Sequence, residues 1–185
     1  MPRLHLVRHG HAAAGWGQER DPGLDGVGAR QADRAAAELH AELSPRRIVS
    51  SPLRRATETA GPLAARWDRP IEVVGAYGEI PSPTDDLALR QTWLSSALAS
   101  NWADLDDDVT AWRSRLLAEA RETAADQVVF THFVAINALV AEATADSAVT
   151  VFLPANASVT VIDVDTGSGA LRVVELGSEA TTEVG

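Results

Sequence analysis

The chain contains no cysteine and no lysine. The first absence excludes thiol nucleophiles, disulfides and thiolate metal sites, and the second excludes a P-loop lysine and Schiff-base chemistry. No apolar run is long enough to span a membrane. Arg8 and His9 interrupt the N-terminal stretch where a signal peptide would carry its apolar centre, so the expected location is the cytoplasm. Positive charge is also scarce. Sixteen basic residues, all arginine, face 26 acids for a net charge of −10, which argues against a nucleic-acid partner. The deficit is uneven: residues 1–70 hold eleven arginines against eight acids, a net of +3, and residues 71–185 hold five against eighteen, a net of −13. A site for an anion must therefore draw mainly on the first part.

What is present suits one core. A length of 185 residues with 45% hydrophobic content predicts a single domain over 1–185. Apolar patterning predicts a strand at 3–8, a Gly-rich loop, and a helix at about 26–43 with Ala29, Ala32, Ala36 and Leu39 on one face. A strand at 46–51 leads into a helix opened by Ser51-Pro52, with the proline in its first turn. A third strand is expected at 71–77, then a cap-like insertion at about 80–104, and a helix at 105–124. A strand at 127–131, a helix from Phe133 to about Ala143, a strand at 148–153 and a hairpin of 158–164 with 171–176 complete the pattern. The last eight residues are expected to fray. Alternating strands and helices imply an α/β fold: a three-layer α/β/α sandwich, mainly parallel, with an antiparallel C-terminal edge hairpin.

Chemistry gathers at the strand ends. Leu6-Val7-Arg8-His9-Gly10 closes the first strand, with Gly10 expected to let the backbone approach a ligand. Arg8 offers a planar permanent charge suited to phosphate, and His9 a nitrogen lone pair available at neutral pH. Ser51-Pro52-Leu53-Arg54-Arg55-Ala56-Thr57-Glu58-Thr59-Ala60 follows a strand and opens a helix, where an arginine adds donors for an anion. Val128-Val129-Phe130-Thr131-His132 ends another strand on a histidine, and Ala76-Tyr77-Gly78-Glu79 ends a further one on a carboxylate. Two histidines, two arginines and a glutamate at strand ends suit phosphoryl transfer.

These motifs resemble the histidine phosphatase superfamily, the phosphoglycerate-mutase-like enzymes. The resemblance rests on Leu-Val-Arg-His-Gly, on the Ser-x-Leu-x-Arg-Ala-x-x-Thr-Ala pattern at Ser51–Ala60 and on the late strand ending at His132. It implies His9 as the nucleophile that becomes phosphorylated, its other ring nitrogen held by a backbone carbonyl. It implies Arg8, Arg55 and His132 as the phosphate-binding set and Glu79 as proton donor, with Asp85 and Asp86 as alternatives in the same loop. The implied activity is hydrolysis of a small phosphomonoester, with no cofactor and no metal. Phe133-Val134 depart from the small residue that commonly follows the second histidine.

Other readings bear on the same residues. A mutase would need longer covering segments than this compact chain provides, and a silent phosphate-binding protein on the same fold would keep the arginines and histidines. His5 shares a strand face with His9 and is expected to be packed, not a metal ligand. Trp93, Trp102 and Trp112 are expected to pack the insertion, and Asp104 with Asp106–Asp108 to cap and charge a helix start. Arg54 and Arg66 are expected to face solvent. Between Ile80 and Trp112 six acids accompany one base, Arg90, the sole candidate there for a second anionic group on the substrate; Phe133 is a possible apolar contact. The expected partner is a small monophosphate, with neither nucleic acid nor membrane.

Overall fold

A computed structural model describes residues 1–180. Strand β1 (Arg3–Arg8) buries Leu4 and Leu6 on one face and His5 and Val7 on the other, so both faces must be covered. Helix α1 (Gly26–Glu42) starts on Asp25, whose carboxylate accepts the N–H groups of Val27 and Gly28. Its buried stripe is Gly28, Ala32, Ala35, Ala36 and Leu39; Ala29, expected on this face, is exposed. The stripe is set by a glycine contact: a Cβ on Gly10 would stand 2.6 Å from the Gly28 carbonyl oxygen. The close approach Gly10 permits is thus to α1, not to a ligand.

Strand β2 (Arg47–Ser50) leads to α2 (Arg54–Trp67). Pro52 precedes this helix and is not in its first turn, because the Ser51 hydroxyl accepts the Leu53 N–H and delays the helix start. Strand β3 (Ile71–Val73) is shorter than expected, and Gly75–Tyr77 forms a single 3-10 turn. Tyr77 is fully buried there and its carbonyl accepts the Thr131 hydroxyl at 2.7 Å. Its apolar bulk mimics strand patterning. Helices α3 (Leu87–Leu98) and α4 (Asp107–Arg121), strand β4 (Gln127–Thr131) and helix α5 (Phe133–Thr144) come next, then the hairpin β5 (Val159–Val164) and β6 (Leu171–Glu175). Asp106 caps α4 with Asp107 and Asp108 in its first turn, and Asp104 closes a capping box with Asn101. The expected strand at 148–153 is absent. Its N–H groups at Val151 and Phe152 bond the Asn137 side chain, and its apolar residues report burial of a loop.

The sheet order is β3-β2-β4-β1-β5-β6; the first four strands are mutually parallel, and β5 runs antiparallel to both β1 and β6. Val7, Ile48, Val128 and Phe130 pack with α1 and α2, while Leu4, Leu6, Val49 and Val129 pack with α4 and α5, giving three layers. Ser178 and Ala180 are not frayed: they pair with Ala155 and Leu153. Residues 181–185, the rest of that tail, lie outside the described residues. No helix among the described residues is long and apolar enough to cross a membrane. The parallel topology brings the C-terminal ends of β1, β2 and β4 to one edge, where the strand-end motifs meet.

Candidate active site

His9 leaves β1 with its Nδ1 2.7 Å from the Gly10 carbonyl. A carbonyl only accepts, so the ring proton sits on Nδ1 and Nε2 carries the lone pair. Burial, with Arg55 and Arg8 beside it, holds the imidazole well below its ordinary pKa. The ring is therefore neutral at physiological pH. Arg55, in the first turn of α2, donates its Nε–H to His9 Nε2 at 3.2 Å, and its Nη2 lies 3.4 Å from Glu79 Oε2.

Arg8 is buried and donates Nη1–H to the Pro154 carbonyl at 2.8 Å. Its Nε has no partner among the described residues, and desolvation pushes its pKa down to about 10. The guanidinium stands 5.3 Å from the centre of the Phe133 ring, which is itself buried. The departure at Phe133 thus packs an aromatic face beneath the Arg8 guanidinium. His132, fully buried at the start of α5, has Nε2 2.7 Å from the Ser51 hydroxyl and Nδ1 3.5 Å from Glu79 Oε2, with no hydrogen-bond partner on Nδ1 among the described residues. Burial and the neighbouring Arg55 lower its pKa as well.

Glu79 comes after the 3-10 turn instead of ending a strand, and Tyr77 anchors it beside β4. Burial raises its pKa against the opposing pull of Arg55 and Arg8. Asp85 pairs with Arg20 at the surface and Asp86 caps α3, so neither reaches the cleft. Donor atoms of His9, Glu79 and His132 lie within 4.8 Å of one another, a set that could ligate a cation. Arg55 donates to one of them and touches another, and this fixed positive charge suits an anion instead.

Around this centre lies a cleft of about 80 Å³ lined by Arg8, His9, Arg55, Glu79 and Phe133, and further out by Trp16, Leu94 and Leu98. Arg90 does not line it: the guanidinium rests 4.5 Å from the Trp16 ring centre. Trp102 and Trp112 are buried and stacked, whereas Trp93 is half-buried and stacks on Trp16. Arg54 and Arg66 are exposed and His5 is buried. Sequence reasoning misses the loop that steadies β1. Asn156 donates to the His9 carbonyl at 3.0 Å and Ala157 N–H to the Arg8 carbonyl at 2.9 Å. It also gives no role to Ser51, although that serine opens the Ser51–Ala60 motif, or to Trp16.

The sequence profile of the histidine phosphatase superfamily (branch 1) matches residues 4–176. Uncharacterized protein Rv0525 of Mycobacterium tuberculosis is 43% identical over 74 residues, covering 38% of this chain and 36% of that protein, so the match spans about a third of the relative. The native structure of mycobacterial glucosyl-3-phosphoglycerate phosphatase Rv2419c is 26% identical over 97% of this chain and 100% of its own, with a TM-score of 0.72. A putative alpha-ribazole-5'-P phosphatase from Escherichia coli shares the fold at a TM-score of 0.75, 21% identity and coverage of 99% and 100%. Phosphoserine phosphatase from Entamoeba histolytica, solved with phosphoserine, shares it at 0.70, 19% identity and coverage of 96% and 98%.

Proposed function

Because the chain belongs to the histidine phosphatase superfamily, we propose that it is a phosphomonoester hydrolase working through a phosphohistidine at His9 on a small monophosphorylated substrate. One observation carries the reading. A buried neutral imidazole carries a lone pair in the same site as two buried polar nitrogens, Arg8 Nε and His132 Nδ1, that have no partner among the described residues. Buried groups of this kind are ordinarily satisfied, and phosphoryl oxygens would satisfy both.

The chain's own groups balance the reaction without metal or cofactor. His9 Nε2 attacks phosphorus and the ester P–O bond breaks as Glu79 gives its proton to the leaving oxygen. Arg8, Arg55 and His132 hold the three equatorial oxygens while charge moves through them. The Ser51 hydroxyl accepts the Leu53 N–H, so its own proton can go to His132 Nε2, leaving the ring proton on Nδ1 for the phosphoryl group. Glu79, now a carboxylate, takes a proton from water as the water attacks phosphorus. The P–N bond breaks, and phosphate and neutral His9 are restored.

The test is covalent trapping. Mixing with substrate and quenching rapidly in alkali should leave a base-stable, acid-labile phosphoryl group on His9. His9→Ala should abolish label and turnover together. Near wild-type turnover in that variant would sink the mechanism, and phosphate binding without turnover in the wild type would favour a silent phosphate-binding protein.

A further inference from the structure

The outer part of the cleft is built by two segments that grip each other. Gln91, Leu94, Ser95 and Leu98 recur at helical spacing along α3 and all line the cleft, facing Trp16 from the loop between β1 and α1. Trp16 is fixed from α3 itself: Trp93 stacks on it at 6.0 Å and 18°, and Arg90 lies over its ring. Next to it, a Cβ on Gly17 would stand 3.1 Å from Gln91 Cβ, so any side chain there would press on α3. Arg20 and Asp85 close the contact at 2.9 Å. The wall is preformed.

Its chemistry is apolar and uncharged. Beyond Arg8 and Arg55, no cation is among the residues lining the cleft. The two nearby cations stand outside the lining, Arg20 in an ion pair with Asp85 and Arg90 over the Trp16 ring. The polar groups of the wall are neutral: the exposed Gln91 amide and the Ser95 hydroxyl, whose proton goes to the Gln91 carbonyl and leaves its lone pairs open. A second anionic group on a substrate would be desolvated here without a charge to meet it.

We infer that Trp16 and the Gln91–Leu94–Ser95–Leu98 face of α3 determine specificity, selecting monoesters of uncharged, largely apolar or aromatic alcohols over monoesters that carry a carboxylate. The inference rests on the hydrolase reading for turnover alone; binding is independent of it. Phosphoserine, held in one of the similar structures, carries such a carboxylate.

Binding to the His9→Ala protein separates the two ideas, because it needs no chemistry. By calorimetry, 2-naphthyl phosphate should bind at least ~10-fold tighter than O-phosphoserine or 3-phosphoglycerate, a difference that burial of one apolar ring accounts for. Leu94→Arg in that background should narrow or invert the ratio. In the His9-intact enzyme, Trp16→Ala and Leu94→Ala should raise KM for 2-naphthyl phosphate ~10-fold and change kcat by less than ~3-fold. Equal or tighter binding of the carboxylate esters overturns the inference, as does an equal KM loss on phosphoserine, which would mark a merely structural wall. A binding preference as expected without any phosphohistidine would sink the hydrolase reading and leave the wall standing. Turnover with the reversed preference would do the opposite.

Discussion

The Nε of Arg55 lies 3.2 Å from Nε2 of His9, so the arginine donates to the lone pair that the proposed mechanism directs at phosphorus. The same guanidinium reaches Glu79 Oε2, and α2 supplies it from its first turn. Arg55 therefore occupies the lone pair of the proposed nucleophile, and its charge adds to burial in holding His9 neutral. Loss of this residue should act at more than one step.

Arg55→Ala should lower kcat/KM by roughly 10²- to 10³-fold, the usual loss when a preorganised donor to developing charge is removed. It should also weaken competitive inhibition by inorganic phosphate. Arg55→Lys keeps the charge without the planar fork and should recover only part of both. Steady-state kinetics with phosphate as inhibitor read these effects; an Arg55→Ala protein with unchanged phosphate affinity would remove Arg55 from the binding set.

Glu79 must be protonated to serve as an acid, and burial raises its pKa. Activity on alkyl phosphates should therefore fall as pH rises through the raised Glu79 pKa. Burial shifts His9 and His132 downward, so neither sets an alkaline limb. Glu79→Gln should slow an alkyl phosphate by roughly 10²-fold or more and p-nitrophenyl phosphate much less, since a good leaving group needs little acid help. Equal losses on both esters would assign Glu79 to binding instead.

Legibility in the sequence depends on the type of contact. Arg8, His9 and His132 can be read because each interrupts an apolar run where a strand must stop. Arg55 is placed by its motif at a helix start. Glu79 is legible as a site carboxylate but not in its setting, since the buried Tyr77 continues the apolar strand pattern through a 3-10 turn. The supports of β1 leave no trace, because Pro154 and Ala157 act through backbone groups that every residue carries. Trp16 is inconspicuous inside a Gly-rich loop, and only the fold brings it against Trp93, 77 positions further along the chain. Contacts between distant segments with no local pattern are the part a single sequence does not show.

Phe133 offers a separable test. Phe133→Leu keeps an apolar group of similar size in a buried position but removes the π-face under the Arg8 guanidinium. The ring positions the Arg8 guanidinium, so its loss should raise the inhibition constant of inorganic phosphate by roughly several-fold. The melting temperature should fall only modestly, because the swap preserves most of the buried volume and removes the ring contact alone. An unchanged inhibition constant would show that the ring only fills space.

Acid should destabilise the fold before it protonates the site. His9 and His132 are buried neutral with pKa values well below their ordinary value, and His5 is shifted the same way. As pH falls below about 6.5, the unfolded chain takes up protons on these imidazoles while the folded chain does not. The stability they contribute is fully present above that pH and is lost progressively as pH falls toward the folded-state pKa values. Thermal melting recorded from pH 7.5 to 5 should show this decline. His9→Gln removes one imidazole that only the unfolded chain protonates, so its slope should be shallower by up to about 1.4 kcal/mol per pH unit between the unfolded and folded pKa values. Equal slopes in the two proteins would mean that His9 is not held neutral, and with that its readiness as a nucleophile would lose its physical basis.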